Sequence, residues 1–243
     1  LKYSPDSKSI DRNLSVLELS HWSKISINAF LISSLTTTNM LSKISEKINA
    51  DWNDIIPALI KDKRIGKHAY VKSGLGIAGG NLERDLFTIS KIINNDKTYL
   101  NLINSIKNIS KDRKNWPNQI LKHILNKFKL SKKYKIGVLG ISYKQNTSSI
   151  KNSASVNLIN KISKNSIINV FDPIVKKKNI SKKLNYSKSI TSLLNKSDII
   201  FILTPWSDFQ VLNEAKYLSI IKEKFIVDPY GIIKRKNTLK INN

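Results

Sequence analysis

Lys135-Ile136-Gly137-Val138-Leu139-Gly140 is a short apolar run that ends on glycine. Three further runs follow it, at Ile167 to Phe171, Asp198 to Leu203 and Phe225 to Val227. Helical segments lie between them, at Ala154 to Ile162 and Ile190 to Leu194. Short apolar strands that alternate with helices imply βαβ units and a parallel sheet. The second part of the chain is therefore expected to be a Rossmann-like, three-layer α/β domain.

Upstream the period changes from strand to helix. Ile25, Ala29, Ile32, Leu41, Ile44 and Ile48 recur at helical spacing, so Ser20 to Ala50 reads as one long helix. Thr36-Thr37-Thr38 weakens its propensity, so packing must hold it. Asp51 or Asn53 can cap a short second helix carrying Ile55, Ile56, Leu59 and Ile60. A loop through Gly66, Gly74, Gly76, Gly79 and Gly80 leads to a third helix near Asn81. A further helical stretch covers Lys97 to Phe128, and Pro117 allows a break before it. The expected division is an all-helical domain over 1–130 and the α/β domain over 131–243, with the boundary near Ser131.

The chain has 243 residues, 40% of them hydrophobic and 24% charged, enough to bury a core. Its longest strongly apolar stretch, Ile199 to Leu203, is far short of a membrane span. No charged segment followed by an apolar core opens the chain, so no signal peptide is expected, and the start at Leu1 reads as a truncation point. The net charge is +25 and the pI about 10.1, which suggests a polyanion binder. Against that reading, the basic residues are scattered and mostly lysine, apart from runs such as Lys176 to Lys178 and Lys234 to Lys236. Aromatics, which interleave with charge in nucleic-acid grooves, are only 8%. A solvated basic surface is expected instead, with a field that favours anionic ligands such as diphosphates. With no cysteine, disulfides, thiolate metal sites and cysteine nucleophiles are excluded. His21, His68 and His123 lack metal-ligand spacing, so no metal is expected.

Gly74-Leu75-Gly76-Ile77-Ala78-Gly79 matches the dinucleotide fingerprint letter for letter. That fingerprint needs a strand before it. Here helix and loop precede it, so no dinucleotide site is expected. Backbone amides at the start of the following helix could instead form an anion or sugar platform.

Six blocks in order carry a resemblance. Lys24-Ile25-Ser26-Ile27-Asn28-Ala29-Phe30-Leu31, Asp62-Lys63-Arg64-Ile65-Gly66 and Gly74 to Asp85 are the first three. Val138 to Thr147, Phe171-Asp172-Pro173 and Thr204-Pro205-Trp206-Ser207-Asp208-Phe209 are the others. Together they resemble the UDP-glucose/GDP-mannose dehydrogenase family, whose members are nucleotide-sugar dehydrogenases. The resemblance implies a helical central dimerisation domain followed by a nucleotide-sugar domain. It further implies an NAD-binding domain ahead of Leu1, a homodimer, a cytoplasmic location and a role in polysaccharide biosynthesis. It implies NAD as cofactor, bound mainly by that preceding domain, and a nucleoside-diphosphate sugar as ligand.

Residue by residue, the resemblance places Lys24 and Asn28 at the sugar carbon being oxidised. The two are four apart and so project from one helix face. An ammonium there can stabilise developing oxyanion charge, and an amide can position a hydroxyl or water. Arg64 matches an arginine that reaches across the dimer to grip the partner's substrate. Gly76, Gly79 and Gly80 belong to the substrate loop. Asp85 matches an aspartate that orients the catalytic water, and Arg84 stands where the family has lysine. Tyr143 and Lys144 lie at the nucleotide-sugar, and Lys151 fills a basic position toward the dinucleotide.

Two departures stand out. Asn81 occupies the place of the family's nucleophilic cysteine, and an amide cannot form that covalent intermediate. Three routes stay open: a single two-electron oxidation, a second oxidation through the aldehyde hydrate, or loss of activity. Tyr230, in Asp228-Pro229-Tyr230-Gly231, replaces an arginine that contacts the sugar. A dehydrogenase acting without a cysteine nucleophile is the first reading, and a non-catalytic nucleotide-sugar binder or partner subunit is the second.

Overall fold

In the computed structural model, which describes residues 16–129, 134–162, 166–176 and 184–234, the run Lys135–Leu139 forms β1. It is the middle strand of a five-stranded, all-parallel sheet. β2 (Ile167–Phe171) and β4 (Ile199–Ile202) flank it. β3 (Asn185–Tyr186) lies outside β2, and β5 (Phe225–Val227) lies outside β4. Val138 pairs with Val170 on one side and Phe201 on the other. A parallel sheet covered on both faces reads as continuous apolar runs, and all four residues of β4 are buried. β3 differs from the expected strands in that its two residues, Asn and Tyr, make no apolar run.

Two helical layers cover the sheet. On one face Ile120, Leu121 and Ile124 of α4 (Lys97–Lys127) and Leu158 of α5 (Ala154–Lys161) pack with Ile136, Val138, Val170 and Phe201. On the other, Leu193 and Leu194 of α6 (Ile190–Asn195), Phe209 of a 3-10 helix (Ser207–Asn213) and Ile221 of α7 (Ala215–Ile221) pack with Leu139, Ile200 and Ile202. The expected α/β class is the one observed.

Among the described residues the helical part precedes every strand. It consists of α1 (Val16–Lys47), α2 (Trp52–Lys61), α3 (Asn81–Ile93) and the first half of α4. Asp51 caps α2 by accepting from the Asn53 amide, as its position suggested. The threonine run in α1 is held by packing and polar contacts: Thr38 donates to the Tyr70 carbonyl at 2.6 Å. Ile32, Ile77, Leu86, Ile103 and Ile106 form the core among α1, α3 and α4. α4 therefore serves two cores, this one through its first half and the sheet's through its second. Pro117 does not break α4, which runs unbroken through it. Proline removes one intrahelical hydrogen bond, but Arg113, Pro117, Asn118, Ile120 and Leu121 are all buried there, and that packing outweighs the loss. The expected boundary near Ser131, and Lys177, Lys178, Arg235 and Lys236 of the basic runs, lie outside the described residues.

The loop after β1 is pinned by Asp172, which follows β2. Its carboxylate accepts from the amides of Ile141 (2.7 Å), Ser142 (3.0 Å), Ile174 (3.0 Å) and Val175 (2.9 Å), and from Trp206 Nε1 (3.3 Å). Burial alone would push this carboxyl up, but the backbone donors outweigh it and hold it below its ordinary value. No described helix is long and apolar enough to cross a membrane.

Candidate functional site

α3 begins at Asn81, so Asp85 falls one turn inside it, on the side turned to α1. Asn28 of α1 donates from Nδ2 to Asp85 Oδ2 at 2.6 Å, and Arg84 Nε donates to Oδ1 at 3.2 Å. Asp85 is only 4% exposed. A desolvated carboxylate is costly unless its oxygens are paired, so the two donors hold it in place. The Arg84 side chain is largely exposed, so this pair is solvated at one end only. Lys24, one turn before Asn28, is exposed and has no hydrogen-bond or ion-pair partner among the described residues. The structure thus joins Asn28, Arg84 and Asp85, while Lys24 stands one turn away from them.

The glycine loop joins α2 to α3, and among the described residues helix and loop precede it, as expected. At one end Asn39 Oδ1 accepts from the Gly74 amide at 2.8 Å, and Arg113 Nε donates to the Gly74 carbonyl at 3.2 Å. Gly76 has φ +87°, and a Cβ there would lie 2.5 Å from the Ser110 carbonyl oxygen. At the other end Gly79 has φ +82°, and a Cβ would meet the Tyr143 ring at 2.7 Å. Only glycine suits both demands. The Gly79 amide donates to the Lys151 carbonyl at 3.1 Å, and Asn152 Nδ2 donates to both the Gly79 carbonyl and Glu83. The Gly79 amide is therefore not free to join the expected anion platform. Gly80, the N-cap residue, has no side-chain cap, and Lys151 Nζ lies 3.2 Å from where its Cβ would be. Asn81 is exposed at the first residue of α3. Gly79, Gly80, Asn81, Tyr143 and Lys151 are thus gathered at one junction. Lys144 adjoins it, with Nζ 5.6 Å from the Tyr143 ring centre.

Arg64 stands elsewhere. Its side chain is 89% exposed and forks onto Asp62, Nη2 to Oδ2 at 2.6 Å and Nε to Oδ1 at 3.0 Å. These bonds hold the Asp62 carboxyl below its ordinary value. Tyr230 is partly buried, its hydroxyl donating to the Leu203 carbonyl at 3.4 Å, and burial pushes its phenol up. Among the described residues no group of three or more His, Cys, Asp or Glu could hold a metal.

Sequence reasoning missed Glu83, Asn152 and Arg113. Glu83, in the first turn of α3, and Asn152, in the turn before α5, meet only through the tertiary fold, which no local pattern announces. Arg113 had a faint signal, since the chain has five arginines among 42 basic residues.

Residues 18–112 match the model of the UDP-glucose/GDP-mannose dehydrogenase family, central domain, and residues 137–235 match that of the same family's UDP binding domain. The chain belongs to this family. Its members include the UDP-glucose 6-dehydrogenase of Rickettsia bellii (strain RML369-C), 30% identical over 217 residues, which are 87% of this chain and 49% of the relative. A putative UDP-glucose 6-dehydrogenase of Bacillus subtilis (strain 168) is 27% identical over 214 residues, with 87% and 49% covered. The UDP-glucose dehydrogenase structure from Pyrobaculum islandicum shares the fold with a TM-score of 0.76 at 20% identity, over 91% of this chain and 49% of that one. The UDP-D-ManNAc dehydrogenase of Pyrococcus horikoshii gives 0.73 at 21%, over 90% and 49%. The chain spans about half the length of the curated relatives it matches. The contact of Gly79 with Lys151 joins the part matched by the family's central model to the part matched by its UDP-binding model.

Proposed function

We propose that this chain is the substrate-handling part of a nucleotide-sugar dehydrogenase, which oxidises the hexose of a nucleoside-diphosphate sugar with NAD to supply polysaccharide biosynthesis. The observation that carries the reading is the Asn28–Asp85 hydrogen bond, set one helical turn from the Asn81 junction. The division into a helical unit (1–130) and a nucleotide-sugar unit (131–243) is part of the proposal. It is supported by the four helices that precede every strand and by family matches that end at 112 and resume at 137. A homodimer through the helical unit is proposed too, supported by exposed Ile27 and Phe30 on α1, 61% and 79% exposed.

NAD, when bound, accepts a hydride from the carbon that bears the hydroxyl. Lys151 is the residue assigned toward it, since this ammonium lies against Gly80 and has no carboxylate partner among the described residues. Lys144 and Tyr143 are assigned to the nucleotide-sugar. The Asn28 amide, its orientation set by Asp85, holds the sugar hydroxyl. Asp85 takes up, through a water, the proton that this hydroxyl loses as its carbon becomes a carbonyl. Lys24 is assigned to stabilise negative charge developing on that oxygen. Arg64, which we assign to a partner protomer's sugar, must first leave Asp62. Asn81 supplies no nucleophile, so a second oxidation needs water added to the aldehyde before another hydride and proton leave.

Asn81 also favours a second reading, a family member that binds nucleotide-sugars without turnover. Calorimetry with UDP-glucose, UDP-N-acetyl sugars and GDP-mannose, alongside assays of NAD reduction by the longest product of the gene, separates the two. Turnover supports the first reading and binding alone the second. Neither binding nor turnover in a folded protein overturns both.

A further inference from the structure

A cleft of about 220 Å³ opens between the end of α1, the start of α2, α4 and the turn after β5. Arg113 lines it and is 4% exposed. Its Nε is spent on the Gly74 carbonyl, but its Nη1 has no hydrogen-bond partner among the described residues. Glu46 Oε1 is the nearest carboxylate at 3.8 Å, an ion pair too long for a hydrogen bond. A buried guanidinium stays charged and is costly with a donor unmet. An acceptor supplied by a ligand would meet it.

The rest of the lining says what kind of ligand. Although the chain carries +25, Glu46, Asp51 and Asp228 line this cleft with Arg113 as its one basic residue; Asp51 already accepts from the Asn53 amide and Asp228 from the Tyr230 and Ile233 amides, and Glu46 is the carboxylate paired with Arg113. A phosphate would face three carboxylates here. A neutral hydroxyl accepts from the guanidinium and donates to a carboxylate, so it suits both. Trp52 spends its N–H on the Val71 carbonyl at 2.8 Å and offers the cleft only ring surface, and Trp116 lies beside Arg113. Carboxylates, one arginine and aromatic rings together fit a polyhydroxylated ring.

We infer that Arg113 is a ligand-binding residue and that its cleft takes the neutral, hydroxyl-bearing ring of a glycosyl ligand. The inference rests on the nucleotide-sugar reading and deepens it, because Ser73 and the Gly74 carbonyl tie the cleft to the start of the glycine loop. Ser42, which lines the cleft, stands about 21 Å beyond Asn28 along α1, so with the hexose held at Asn28 the ring taken here is the ribose of the nucleotide-sugar.

The test is calorimetric titration of the 243-residue chain with UDP-glucose and with UDP. Arg113→Gln is expected to weaken binding roughly tenfold or more, with the fold checked by circular dichroism. Ser73→Phe fills the cleft while leaving Arg113 in place, and it is expected to do the same should the first variant fail to fold. An equal loss for UDP-glucose and for UDP supports the inference, and a loss confined to UDP-glucose overturns it. Unchanged affinity for both ligands in folded variants overturns it and leaves the nucleotide-sugar reading standing. A wild-type chain that binds neither ligand overturns that reading and the inference with it.

Discussion

Asn28 and Asp85, 57 residues apart, are joined by a 2.6 Å hydrogen bond between two helices. A buried carboxylate needs donors, and the Asn28 amide is one of the two side-chain donors that Asp85 has among the described residues. The pair should therefore be energetically coupled. In a double-mutant cycle of Asn28→Ala and Asp85→Ala, followed by urea unfolding, we expect a coupling energy of about 1–3 kcal/mol. Additive losses would remove this bond from the list of things that hold the site.

The left-handed backbone at Gly79 is paired with a packed Tyr143 ring. Gly79→Ala should cost about 2–4 kcal/mol, part from the backbone conformation and part from the clash. Tyr143→Ala on top of it relieves only the clash, so thermal unfolding should recover a fraction of the loss. Full recovery would mean the backbone there is not strained by a side chain.

Asn81 begins α3 beside Lys151, where a helix N-terminus and a nearby ammonium both favour a negative group. A thiol placed there should be acidified. Asn81→Cys gives the chain its first cysteine, so alkylation reports on that position alone. The pH midpoint of the alkylation rate is expected below about 8.5, the value of an unperturbed thiol. A midpoint at or above it counts against an electropositive junction.

Asp172 clasps the loop after β1 in its charged form. Its folded-state pKa is lowered, so its contribution is fully present above the unfolded value of about 3.9 and is lost as pH falls through the folded value. Asp172→Asn should cost about 2–4 kcal/mol at neutral pH. The gap between wild type and variant should close as the pH drops below about 4. Denaturant melts across that range check the sign, and a gap that widens in acid would reverse it.

How much of this could be read beforehand follows from which forces are local. The strand runs at 135–139, 167–171 and 199–202 were legible because a doubly covered parallel sheet demands unbroken apolar stretches. The long helix at 16–47 and the Asp51 cap were legible from spacing and capping chemistry. The two-residue β3 was not, since it is held by pairing with β2 and not by its own residues. The continuity of α4 through Pro117 was not either, because burial by two cores overrides a local breaker.

By itself the sequence determined the α/β class, the family blocks and the absence of a cysteine nucleophile. These rest on periodicity, motif order and composition, each of which is written along the chain. Only the tertiary structure decided which residues meet: Asn28 with Asp85, Gly79 with Lys151, and Arg113 with the turn at Asp228. It also decided that Arg64 rests on Asp62 and that Lys24 stands clear of the Asn28–Asp85 pair. The physical reason is that desolvation and side-chain pairing act through space, so their outcome depends on how helices and loops far apart in sequence are brought together.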